Sequence, residues 1–470
     1  MTDNRWKETL PLCLGLFLAF TWVWACRPLM VSATSSTLYV SPDGDDAKFC
    51  NSVANRCRTI QRALNMSVSG DEIRVSAGIY THTSGTVAVI NNTVELLGGW
   101  NSSFTTRDPA VYLTVMDAQR RGRVVEISGS YSPVLDGFTI TGGNAHIETN
   151  HPGVGGGIYS YGGSPTIQNN VITNNVAYSG STPWGHGGGI YISNASAAAV
   201  IEDNRVISNA ASTTYPGLGG GLSIYNSSLK LLHNEIIQNV AGRGGGGIYV
   251  NDSDGLLLDA NLILSNTIVV SPSLDSYGGG IYMEYTGPFT MTNNIIAHND
   301  APIQGGAVYV YGSNNPYNSF GVLINNTLVD NNFNNTGEGI YIIGKSSLSL
   351  ANNIVVNHAY GLVAGSNSEL STRYTLFWGN DQDHDTVGSG VITSTAEITG
   401  SDPLFVNPAA RDYHIMIDSP ARNAGDPAGI PPAPLTDIDG DIRVCGRPDI
   451  GADEYYCPHY DIFLSLVRKN

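Results

Sequence analysis

The chain has 470 residues, of which 55 are Gly, 13% are charged and 41% are hydrophobic. That is too apolar for a disordered chain and too Gly-rich for a helical protein, and it fits many short strands with frequent turns. A formal net charge of −17 repels nucleic acid and anionic membranes, so neither is an expected partner, and an anionic polysaccharide would need local basic residues or a bridging cation.

Residues 1–33 read as a signal peptide. Arg5 and Lys7 form a basic start, Leu10 to Ala25 is an apolar run, and Val31-Ser32-Ala33 offers a small-residue cleavage site. The run is short for a spanning helix, and no transmembrane domain is expected in the mature chain. Four of the six Cys lie beyond it, in two local pairs. An even count in an exported chain reads as disulfides, Cys50 with Cys57 and Cys445 with Cys457. Neither pair has the close spacing of a zinc site. Next, residues 59–67 (TIQRALNMS) predict a short amphipathic helix with Ile60, Ala63 and Leu64 on one face, which would serve as an N-terminal cap.

The strongest signal is an internal repeat. GGGIY or a variant begins at Gly155, Gly187, Gly219, Gly245, Gly278, Gly305 and Gly337. Between these marks an Asn recurs, at Asn170, Asn204, Asn234, Asn261, Asn294, Asn326 and Asn353. Three positions before it stand Ile167, Ile201, Leu231, Leu258, Met291, Leu323 and Leu350. Two after it stand Ile172, Val206, Ile236, Ile263, Ile296, Leu328 and Val355. Five after it another Asn stands in six copies, and His358 in the seventh. The position one after is mixed and includes Arg205 and Glu235. Period-two alternation with one fixed inward residue gives two short strands meeting at an Asn corner, with GGGIY as a third. Three strands per turn of about 24 to 34 residues make one coil of a parallel β-helix, and about eight to ten coils would stack. Asn at the same corner of each coil can bond up and down the stack, and the glycines supply positive φ and close backbone approach. After about residue 384 the repeat stops, and the Pro- and Asp-rich stretch 400–457 reads as an irregular C-terminal cap.

Particular stretches are familiar. The opening LYVSPDGDD with CRTIQRAL and GDEIRVSAGIY resembles bacterial β-helix proteins of the pectin-lyase-like superfamily. The GGGIY copies with their Asn partners resemble the repeats of polymorphic outer-membrane proteins. The tail SDPLFVNPAARDYHIMIDSPARNAGDP with TDIDGDIRVCGRPDIGADEY resembles the end of surface proteins called choice-of-anchor Q. These resemblances imply a right-handed parallel β-helix over residues 34–384, a cap or anchor-like region over 385–470, and a secreted or cell-surface location. They say little about activity, because the fold hosts lyases, hydrolases, epimerases, adhesins and non-catalytic proteins.

Chemistry is sparse. Gly185-His186-Gly187 resembles an element of galacturonan hydrolases, but their paired-Asp motifs and Arg-x-Lys are missing. A lyase needs a base and carboxylates that hold Ca²⁺ against the uronate. Lys230 would be that base, with Glu202 and Asp259 outward on the same sheet. Asp437, Asp439 and Asp441 resemble part of a calcium loop. In GGGIY the Ile faces inward, so the Tyr faces outward. Tyr249, Tyr282, Tyr309 and Tyr341 therefore predict a continuous aromatic stripe suited to sugar rings, with Tyr159 and Tyr191 isolated by Ser223. The reading is a non-catalytic surface or secreted protein that binds a polysaccharide or other cell-surface component. The alternative is a calcium-dependent polysaccharide lyase.

Overall fold

The computed structural model describes residues 35–83, 85–179, 184–212, 216–269, 276–313, 318–331, 337–426, 434–443 and 446–455. The expected signal peptide (residues 1–33) and the pair Cys445–Cys457 lie outside them.

Each repeat folds as the alternation predicts. Taking one coil, Ile190–Ser193 joins what we call sheet III, Ala199–Glu202 joins sheet I and Arg205–Ile207 joins sheet II. The next coil repeats the order with Leu222–Tyr225, Leu229–Leu232 and Glu235–Ile237, each parallel to its predecessor. Among the described residues the three sheets hold 13, 12 and 11 strands, for I, II and III respectively. The chain is a parallel β-helix, and all fourteen aliphatic positions flanking the Asn corner are buried in its lumen. Each such side chain contributes roughly 1.5–3 kcal/mol over leaving it in water.

The corners explain the Asn columns. The residue before each Asn adopts a left-handed conformation, as at Asn169 (φ 55°), Asp203 (φ 53°) and His233 (φ 53°). That turn points the next side chain into the coil, where it is cut off from water. Its partners then come from neighbouring coils. Asn204 Nδ2 donates to Asn234 Oδ1 at 3.1 Å and to the Ile167 carbonyl at 2.8 Å. Asn234, Asn261, Asn294 and Asn326 continue the chain, each Nδ2 donating to the next Oδ1 at 2.9–3.0 Å. The second column, from Asn175 to Asn331, repeats the pattern. His358 extends it, with Asn331 Nδ2 3.3 Å from His358 Nε2. Burial holds the His358 imidazole down to about 4, so a neutral ring stands in for the amide. Glycine is required beside this column. A Cβ at Gly157 would lie 2.6 Å from the Gly189 carbonyl and 2.9 Å from Asn175 Nδ2.

Ile60–Met66 is the expected helix. Thr59 caps it by accepting from the Arg62 N–H, and Ile60, Ala63 and Leu64 are buried in the main core. Cys50 and Cys57 are joined in the preceding loop, their Cα atoms 4.9 Å apart.

The C-terminal end departs from expectation in two ways. Coil strands continue past residue 384, to Val391–Thr395 and Ile398–Thr399. The segment beyond them runs back along the outside of sheet II rather than across the end. Its Phe405, Tyr413, Ile415, Ala421, Ile450 and Ala452 form one core with Leu264, Ile295, Val329, Ile354 and Val356 of that sheet's outer face. The reason is compositional. Outward positions that are Arg205 and Glu235 in earlier coils are Leu262, Ile295 and Ile354 later on, and that apolar strip needs cover. The left-handed corner asparagines hold this strap. Asn325 Nδ2 donates to the carbonyls of Asp449 (2.8 Å) and Gly451 (3.1 Å), and Asn293 Nδ2 to that of Thr436 (3.0 Å).

Asn261 sits mid-column, accepting from the Asn234 backbone N–H and Nδ2 at 3.0 Å each. Asn261→Ala orphans the Asn234 backbone N–H, at about 1–3 kcal/mol, and removes one of the three acceptors of Asn234 Nδ2, which keeps the Ile201 and Leu232 carbonyls. Native-state hydrogen exchange should show the coils around residues 234–266 opening about 1–3 kcal/mol more easily, while the N-terminal coils keep their protection. Unchanged exchange would show that the ladder carries little of the stacking energy.

Candidate functional site

The lyase constellation lies on sheet I. Glu202 and Asp259 occupy one register column two coils apart, with Leu232 between them. Lys230 pairs with Val200 and Leu257, two residues away along the strand. Asp259 Oδ1 accepts from Thr292 Oγ1 at 2.6 Å and from Asn293 Nδ2 at 3.0 Å. The three side chains therefore share a sheet but not a column.

The acidic residues Asp437, Asp439 and Asp441 have three different surroundings. The Asp437 carboxylate is buried and accepts the backbone N–H groups of Asp439 (3.0 Å), Asp441 (2.8 Å) and Glu454 (2.9 Å), which closes the turn. Asp441 is exposed, and Asp439 turns to His414. Among the described residues the one metal-like cluster is His414, Asp439 and Asp453. Both His414 ring nitrogens already face carboxylates, Nδ1 on Asp412 at 2.5 Å and Nε2 on Asp439 at 2.7 Å. Burial disfavours the charged ring, but the bonds to Asp412 and Asp439 raise its pKa to about 9. The cluster is thus an imidazolium staple within the strap. Beneath it Arg443 is fully buried, donating to the carbonyls of Gly451 (3.0 Å) and Ala452 (2.6 Å) and to Asn293 Oδ1 (2.9 Å).

The tyrosines do form a column on the outer face of sheet III. Tyr249, Tyr282, Tyr309 and Tyr341 are in strict register. They are not an open platform, being only 2%, 7%, 4% and 4% exposed. The cover is the residue just before each Gly triplet. Val154, His186, Leu218, Gly244, Tyr277 and Gln304 bridge from coil to coil and form a low wall beside the column. Tyr277 stacks on Tyr309 with centroids 4.5 Å apart and meets Tyr282 edge-on. Burial drives the Tyr249 and Tyr282 hydroxyls far above the usual phenol range, and Tyr249 donates to Glu284.

The gap at Ser223 is filled. The small side chain lets Tyr225, two residues on, lean across so that its ring lies 5.4 Å from Tyr191 and 5.5 Å from Tyr249. Burial lowers the His186 pKa to about 4, so the ring is neutral, and its Nδ1 shares a hydrogen bond with the Tyr225 hydroxyl at 2.8 Å. His186 is thus a support for Tyr225.

Of the two rings that the sequence pattern isolates, Tyr159 is as buried as Tyr249, at 2% exposed, and the surface opens instead around Tyr191 and the neighbouring Tyr161 and Tyr225. Tyr159, Tyr161, Tyr191 and Tyr225, with His151, line a groove of about 420 Å³. Tyr161 is 50% exposed, Tyr191 and Tyr225 are half-buried, and Tyr159 forms the floor between His151 (centroids 5.1 Å) and Tyr191 (5.6 Å). Ser193, in the same register as Tyr161 and Tyr225, is small, and this opens the space. Asn194 and Asn226 sit exposed in left-handed turns at the rim, with Asn226 Nδ2 donating to Asn194 Oδ1. The signal for this groove was the second outward position of the GGGIY strands, which reads Tyr161, Ser193, Tyr225.

Residues 116–267 and 240–381 match the model of the family described as right handed beta helix region. None of the curated proteins compared matches the chain. Among solved structures it is similar to the crystal structure of pectate lyase Pel9A, with a TM-score of 0.54 and 15% identity over 90% of this chain and 97% of that one. It is also similar to the Agl-KA catalytic domain, with a TM-score of 0.45 and 14% identity over 77% and 69%. At such identity the likeness to Pel9A shows the fold alone.

The staple sets a pH dependence. His414 has its pKa raised to about 9 from an ordinary 6.5, so its contribution is complete below the lower value and is lost as pH rises through the higher one. Burial also raises Asp453 to about 6 and Glu454 to about 7, which likewise favours the strap at lower pH. The buried neutral His186 and His358 act in the opposite sense below about pH 7, so thermal midpoints measured from about pH 7.5 to about pH 10 should fall, and His414→Gln should flatten the step near pH 9. A midpoint that rises with pH would contradict the assignment.

Proposed function

The chain belongs to the right-handed β-helix family, and from that premise we propose that it is a non-catalytic, exported carbohydrate-binding protein. Its ligand would lie in the groove around Tyr161, Tyr191 and Tyr225. The observation that carries this reading is the geometry of Tyr159, Tyr161, Tyr191 and Tyr225 around one concavity. Aromatic faces suit the apolar faces of sugar rings, while phenol hydroxyls and the Asn194 and Asn226 amides suit their hydroxyl rims. The volume is that of a small-ligand site. The fold shared with a pectate lyase lends loose support to a carbohydrate partner.

Export is supported by the basic and apolar start of the chain and by the Cys50–Cys57 disulfide, since such bonds persist mainly in oxidising compartments. The lyase alternative has less support, because Lys230 is offset from the Glu202–Asp259 column and Asp259 is already bonded to Thr292 and Asn293.

A glycan array followed by calorimetry tests the proposal. Tyr161→Ala should weaken the array-identified ligand by about tenfold, about 1.4 kcal/mol, and Tyr161→Ala/Tyr191→Ala by more, while Lys230→Ala binds as the parent does. Incubation with polyuronates should yield no product absorbing in the ultraviolet. Parent-like binding by the folded double variant, or unsaturated products lost in Lys230→Ala, would overturn it.

A further inference from the structure

The groove also carries information on which class of glycan fits, an inference that rests on its being a glycan site. We infer that it selects an uncharged glycan over a polyuronate. Among the described residues no Asp, Glu, Lys or Arg lines it; the surface is phenol, amide, hydroxyl, apolar side chain and the single imidazole of His151. A uronate carboxylate brought there would shed water without gaining a cation, which costs several kcal/mol where nothing pairs with it.

The charges that lie close by are already engaged. Arg123 sits 4.5 Å from the Tyr159 ring centroid and is wholly buried. Its Nη2 donates to the carbonyls of Asn150 (3.0 Å) and His151 (2.9 Å), and its Nη1 pairs with Glu126 at 3.4 Å. Glu126 is the register neighbour of Tyr159 on the preceding coil, so the cation nearest the groove is already paired and gives a uronate no partner. Arg243 lies over the Trp184 ring at 4.7 Å. The −17 net charge adds a long-range repulsion of polyanions that salt would relieve. Neutral hexoses and pentoses meet none of these penalties. Their hydroxyls match the rim amides of Asn194 and Asn226, and their axial C–H faces match the ring of Tyr191 and the half-exposed ring of Tyr161.

The test is calorimetry of the full chain with two panels of matched length: neutral hexasaccharides (gluco-, xylo- and manno-) and acidic ones (galacturono-, mannurono- and gulurono-). Each is run at about 0.02 M and about 0.3 M NaCl, with calcium and with chelator. The expected result is binding of at least one neutral series, changing less than about twofold with salt or chelator, with every acidic series at least about tenfold weaker. An acidic series that binds as tightly and is lost in Tyr161→Ala/Tyr191→Ala overturns the selectivity but leaves the groove as the site. Acidic binding unaffected by that variant, or no binding by either panel, overturns both.

Discussion

The structure depends on the buried corner amide. A coil of three short strands cannot close on itself without turning its backbone twice within a few residues, and each turn leaves N–H and carbonyl groups facing inward. An Asn at that corner satisfies them, but only if another coil lies above and below, as Asn204 does with Asn170 and Asn234. No coil is stable alone, and stacking fixes register to the residue. Because register is fixed, every outward side chain also falls into a column, and the columns determine what the outside of the solenoid can do.

The outward columns diverge along the axis. On sheet II the column turns from charged to apolar, and the C-terminal strap covers the apolar part. On sheet III the tyrosine column is closed over from Tyr249 onward by Tyr277 and its neighbours in the wall, yet remains open around Tyr161 and Tyr191. In both places a continuous strip is partly converted to core, and the uncovered remainder is the surface available to other molecules. The open tyrosines are braced by neutral His186 and, through Tyr159, by buried Arg123, contacts that reduce the ordering needed when a ligand stacks on them.

Much of the coil was legible in the sequence, because period two and a fixed Asn are local signals. The inward aliphatics and the glycines that permit close approach derive from spacing within one repeat, and the Ile60–Met66 helix and the Cys50–Cys57 bridge from equally local spacing ahead of the repeats. The cover over the outside was not legible in that way. Alternation says that Tyr282 leaves the lumen; it does not say that Tyr277, from a loop, will lie against it. The apolar residues Ile295 and Ile354 stand in the sequence, but that a segment as distant as Ile450 covers them is a tertiary fact. The same holds for the bond from Asp439 to His414, a partner that lies in a different segment of the chain. Tyr225 was hidden for a simpler reason: it belongs to the second outward column, beside the one that the GGGIY motif draws attention to.

The claim that the groove around Tyr161, Tyr191 and Tyr225 is the ligand site is tested most directly by hydrogen exchange of the full chain with and without a bound neutral oligosaccharide. The account predicts added protection at residues 151–161, 191–194 and 225–226, with the amides around Lys230 and those of the C-terminal strap unchanged. Protection centred on Lys230 and Asp259, with none at the groove, would contradict it.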